Sequence, residues 1–109
     1  MSDEQQSNRQ QLDAIGDRYL QRTRSEMALF SEALAKLESG DLTAFTRLQQ
    51  LAHMVHGSGA MFGFDRISDS AEEVEILALA GKTDTLDQIT RQIQALAAEV
   101  DDACSARGV

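Results

Sequence analysis

Residues 42–62 read LTAFTRLQQLAHMVHGSGAMF. Wound at about 100° per residue, Leu42, Phe45, Leu48, Ala52, Val55, Gly59 and Phe62 form one apolar line along a helix. Such a helix is marginal alone in water and becomes stable when other elements cover its stripe. The flanking sequence supplies them. Upstream, Leu12, Ile15, Tyr19 and Leu20, then Met27, Phe30, Leu34 and Leu37, recur at helical spacing. Downstream, Ile67, Ala71, Val74 and Ala78 trace one stripe, and Leu86, Ile89, Ile93, Leu96, Val100 and Cys104 another. No strand-like alternation and no internal repeat is present.

The breaks between stripes are short. Gly16 is expected to part a short first helix from a long second one, which stops at Ser39-Gly40-Asp41, with Asp41 capping the next. Gly63-Phe64-Asp65 reads as a break followed by a new cap, the next helix ends near Gly81, and Thr83 or Asp84 caps the last. Long amphipathic helices joined by short breaks pack as antiparallel neighbours. The expected fold is therefore all-α, an antiparallel up-down four-helix bundle with a short extra N-terminal helix. Residues 1–10 read as a flexible polar lead and residues 11–106 as the bundle.

Composition agrees. A chain of 109 residues fits one domain with a modest core. Proline and tryptophan are absent, so the core is aliphatic, filled out by Phe30, Phe45, Phe62 and Phe64. Eighteen acidic residues against ten basic ones give a net charge of -8, the wrong balance for a nucleic-acid binder. The lone Cys104 cannot form an intramolecular disulfide and reads as a buried thiol. The polar start, MSDEQQSNRQQ, lacks the apolar core of a signal peptide, and no apolar run approaches the roughly 20 residues of a membrane span. A cytoplasmic monomer is expected.

Both histidines lie in the opening stretch. His53 falls roughly 130° from the centre of the core line and so faces solvent, with Gly57 one turn along and His56 and Ala60 on the same side. Mid-helix glycine costs about 1 kcal/mol relative to alanine. Gly59 lies on the core line, where close packing explains it; Gly57 does not. A bare patch beside an exposed imidazole lets a bulky group approach the ring. Neutral imidazole is nucleophilic near neutral pH, and phosphoryl transfer depends mostly on positioning and charge neutralisation. Such a ring needs no nucleotide-binding motif in its own chain, and this sequence has none. His56 could donate a hydrogen bond to phosphoryl oxygens, or compete as the acceptor. Met54 and Met61, outward on the same side, and Phe64 beyond the break are candidates for a partner-docking surface.

At this point the stretch resembles the signature of the histidine-containing phosphotransfer (HPt) family, roughly Ala-His-x-Leu-Lys-Gly, then small residues, an apolar residue and Gly. Here it runs Ala52-His53-Met54-Val55-His56-Gly57-Ser58-Gly59-Ala60-Met61-Phe62-Gly63. The flanks Ala33-Leu34 to Gly40-Asp41 and Ala71 to Val74-Glu75 extend the likeness from about residue 12 to 100. The resemblance implies a phosphoryl carrier, not an enzyme, whose partners are a response-regulator receiver domain and/or a hybrid histidine kinase. It implies His53 as the phosphorylated residue, Gly57 as the clearance glycine and Glu75 as a polar neighbour on the next helix. It implies no cofactor of the chain's own, Mg²⁺ being supplied with the receiver. The family usually has Lys where this chain has His56, so a permanent cation is exchanged for a titratable one.

Two other readings fit the same residues. His53, His56 and Glu75 could ligate a metal in a helical bundle, although the paired Glu-x-x-His motifs of di-iron bundles are missing. An HPt-like module could also bind a receiver or kinase without carrying phosphate.

Overall fold

Four helices make up nearly all of the protein. A computed structural model describes residues 3–109, in which α1 spans Asp3–Glu38, α2 Ala44–Met61, α3 Asp65–Ala80 and α4 Leu86–Arg107. A single 3₁₀ turn at Thr83–Thr85 precedes α4, and no strand occurs among the described residues. α1 packs on α2 and α4, α2 on α3, and α3 on α4, so the helices follow one another around the bundle. Gly40 and Gly63 end α1 and α2 with positive φ angles of 98° and 82°. At each, the next residue donates its N–H back five residues, Asp41 to Lys36 and Phe64 to Gly59. That crossed pattern satisfies the last carbonyls and reverses the chain within a few residues.

The stripes of α3 and α4 are buried as expected. Ile67, Ala71, Val74 and Ala78 face Ile89, Ile93, Leu96, Val100 and Cys104 in one core with Leu20, Phe30, Leu37, Phe45, Leu48, Ala52 and Val55. Burying each large aliphatic or aromatic side chain contributes about 1.5–3 kcal/mol, which is what holds otherwise marginal helices together.

Several expectations are corrected. There is no separate N-terminal helix: α1 passes through Gly16 unbroken. A glycine costs too little to stop a helix flanked by good helix formers, and this one has a use. A Cβ at Gly16 would meet Arg107 Nη1 at 2.9 Å. The bare Cα lets that guanidinium lie across α1, donating to the Asp13 carbonyl at 3.3 Å and to Asp17 Oδ1 at 3.2 Å. Residues 3–10 of the polar lead belong to α1; Met1 and Ser2 lie outside the described residues. Residues 3–15 are exposed throughout, and α1 outruns its neighbours, giving extents of 57 × 20 × 17 Å. Extending an existing helix carries no nucleation cost.

Leu12, Ile15, Leu42 and Phe62 keep the helical period yet stay exposed, Phe62 even though its ring stacks on Tyr19 of α1. Asp41 does not cap α2 directly. Its carboxylate accepts from the Thr43 N–H and hydroxyl, which holds it below the usual carboxylate range, and α2 opens at Ala44. Asp65 likewise starts α3 behind Phe64, and Thr83 and Asp84 form the 3₁₀ turn, leaving Thr85 at the N-cap of α4. No helix among the described residues is long and apolar enough to cross a membrane.

Candidate functional site

Small residues bring α2 and α3 close together. Ala52 and Gly59 on α2 and Ala71 and Ala78 on α3 are all buried. At Gly59 a Cβ would lie 3.1 Å from the Ser68 backbone nitrogen and 3.3 Å from its Cα, so any larger residue would push α3 back by a few tenths of an ångström. The buried Ser68 hydroxyl donates to the His56 carbonyl at 2.8 Å, fixing the two helices in register where the histidines emerge.

Glu75 follows Val74 at the edge of the α3 stripe, and the close approach carries its carboxylate across to α2. Only 16% of its side chain is exposed. Oε2 lies 2.6 Å from His53 Nδ1 and Oε1 lies 3.2 Å from His56 Nδ1. Gln49 Nε2 donates to Oε2 at 3.3 Å. Burial pushes this carboxyl up, but the hydrogen bonds from His56, His53 and Gln49 outweigh it and hold Glu75 below its ordinary value. A carboxylate can only accept. In its neutral form each histidine therefore donates from Nδ1 and leaves Nε2 as the base or nucleophile.

The two Nε2 atoms have different surroundings. The His53 side chain is 70% exposed, and among the described residues no hydrogen bond or ion pair engages its Nε2. The His56 side chain is 35% exposed, and its Nε2 stands 3.6 Å from Glu72 Oε2. His56 is thus turned onto α3 and not toward His53. Gly57 is exposed, and a Cβ built there meets nothing within 4 Å. Nothing within the chain requires a glycine at that position.

Met54 and Met61 are 62% and 80% exposed around this face. Phe64 is not with them. It is half-buried against the core, stacked on Tyr19 at 5.6 Å with the Arg107 guanidinium 5.1 Å above its ring. Phe62 is the aromatic residue nearer the surface, 40% exposed and stacked on Tyr19 at 4.7 Å. The Tyr19 hydroxyl in turn pairs with Ser58 Oγ at 3.0 Å.

The sequence reading does not single out Glu72 or Gln49, and it places Phe62 in the core and not near the site. A signal for Glu72 exists: Glu72 and Glu75 share the three-residue spacing of His53 and His56, so two facing helices can pair them twice. No group of three or more His, Cys, Asp or Glu side chains is arranged to hold a metal ion among the described residues.

Compared with known families, residues 5–106 match the model of the Hpt domain. No curated protein and no solved structure matches the chain.

Proposed function

Since the chain belongs to the Hpt domain family, whose members are phosphocarrier modules of histidine phosphotransfer in phosphorelays, we propose that its acceptor is His53. In this reading His53 takes a phosphoryl group from, and returns it to, a receiver-domain aspartate or a kinase. The observation that carries the reading is the 2.6 Å bond from His53 Nδ1 to a half-buried carboxylate on a ring that is 70% exposed. With the proton fixed on Nδ1, the Nε2 lone pair points outward and attacks phosphorus. The Nε2–P bond forms as the bond from phosphorus to the donor oxygen breaks, and the aspartate leaves as carboxylate. Positive charge then grows on the imidazole, and Glu75 stabilises it through a charge-assisted hydrogen bond. In the reverse direction the electron pair returns to Nε2 while Nδ1 keeps its proton.

Gly57 gives the donor surface room beside the ring, and Met54 and Met61 offer it an apolar contact. The chain brings no cofactor of its own; Mg²⁺ held by the receiver's acidic pocket would neutralise the phosphoryl charge. The protein acts as a cytoplasmic monomer docking on a response-regulator receiver domain or a hybrid histidine kinase.

The test is incubation with a phosphorylated receiver, or with a hybrid kinase and radiolabelled ATP. Wild type is expected to take up label that is acid-labile and base-stable, and His53→Gln to lose it. A His53→Gln variant labelled as fully as wild type would overturn the assignment. A wild type that binds the receiver but takes no label would point to a pure interaction module.

A further inference from the structure

His53 and His56 are chemically the same acceptor as far as Nδ1 is concerned. Each gives that nitrogen to one oxygen of Glu75, and each is therefore left with a lone pair on Nε2. Their helical surroundings are also alike: one turn beyond His53 is Gly57, and one turn beyond His56 is Ala60, a small exposed residue. They differ in exposure, 70% for His53 against 35% for His56, and in what faces them from α3. Glu72 Oε2 stands 3.6 Å from His56 Nε2, while nothing among the described residues faces the same atom of His53.

We propose that Glu72 masks His56 and thereby confines the phosphoryl group to His53; this rests on the phosphotransfer reading above. Attack requires phosphorus to come within about 3–3.5 Å of Nε2 along the lone pair. At His56 a carboxylate oxygen stands 3.6 Å from that nitrogen, just beyond the distance phosphorus would have to take. Its negative charge also opposes the phosphoryl oxygens that would have to replace it, and like charges brought together at short range are strongly disfavoured. Glu75 prepares two nucleophiles, and Glu72 closes one of them. His56 is a latent second phosphorylation site.

The chemistry can be probed without a partner protein, using phosphoramidate as donor. The His56 Nε2 lone pair attacks its phosphorus, the new N–P bond forms, the P–N bond to the donor nitrogen breaks and ammonia leaves. Four chains are compared by intact mass and phosphorus NMR: wild type, His53→Gln, His53→Gln with Glu72→Ala, and His53→Gln with Glu73→Ala. Glu73 is an exposed acid on the same helix and controls for net charge. Wild type is expected to carry its phosphoryl group on His53 and His53→Gln to be almost unlabelled. Adding Glu72→Ala should raise label at His56 by roughly tenfold or more, whereas adding Glu73→Ala should not.

A double Glu72 variant no better labelled than His53→Gln alone, in an experiment where wild type is labelled at His53, would overturn the masking and leave the phosphotransfer reading standing. Full labelling of His56 in His53→Gln alone would also overturn it, since Glu72 would then be masking nothing. A wild type that takes no label on either histidine would overturn both.

Discussion

Gly57 and Gly59 lie two residues apart in one helix, and replacing each by alanine should change stability in opposite directions. Alanine in a helix interior is favoured over glycine by about 1 kcal/mol at either position, because less backbone entropy is lost on folding. At Gly57 nothing offsets that gain, since the added methyl meets no atom within 4 Å. Gly57→Ala should therefore be about 1 kcal/mol more stable than wild type. With an m-value of about 1–3 kcal/mol per molar in urea, the midpoint should rise by roughly 0.5 M. At Gly59 the methyl would sit 3.1 Å and 3.3 Å from backbone atoms of Ser68, which cannot swing aside as a side-chain tip can. Overpacking of this kind costs about 1–3 kcal/mol, so the net change is a loss of up to about 2 kcal/mol. The assay is equilibrium urea unfolding followed by circular dichroism, paired with phosphotransfer from a receiver. Gly57→Ala should gain stability, and Gly57→Leu should stay folded while transferring more slowly than wild type. If Gly57→Ala were destabilised, or if Gly57→Leu transferred at the wild-type rate, the claim that this glycine exists for an incoming partner would be refuted.

Glu75 links the site to acid stability. Its carboxyl is held below its ordinary value by bonds from His56, His53 and Gln49 that outweigh burial, so the unfolded chain binds this proton more readily than the folded one. The stabilisation is complete above the ordinary carboxylate range and is lost as pH falls through the folded value; the urea midpoints of wild type and Glu75→Gln should therefore converge between pH 6 and pH 3. Phe30 is fully buried, and Phe30→Ala should lower stability by about 3–5 kcal/mol in the same unfolding assay.

How much of this was legible in the sequence differs from element to element. The α3 stripe and the α4 stripe from Ile89 onward are legible from period alone, while Leu86, at the start of α4, is only half-buried. Period alone could not show that Leu12, Ile15 and Leu42 are uncovered, since it gives the direction of a side chain and not the presence of a neighbour. Gly16 was misread as a break because its reason lies in Arg107, 91 positions away in the chain. His53 and Gly57 were legible from helical arithmetic on α2. The bridge made by Glu75 was not, because it depends on how closely α2 and α3 approach, and that is set by Ala52, Gly59, Ala71 and Ala78 acting together. Phe64, a docking candidate from sequence, is half-buried with the Tyr19 ring and Arg107 against it, contacts that the sequence does not display.

The central claim is that a carboxylate on α3 fixes the proton on one imidazole nitrogen so that the other receives phosphorus. Long-range proton–nitrogen NMR of the phosphorylated protein, with nitrogen-labelled histidine, reads both nitrogens of His53 at once. The account predicts phosphorus coupled to Nε2 and a proton retained on Nδ1; phosphorus on Nδ1, or on no nitrogen of His53, would contradict it.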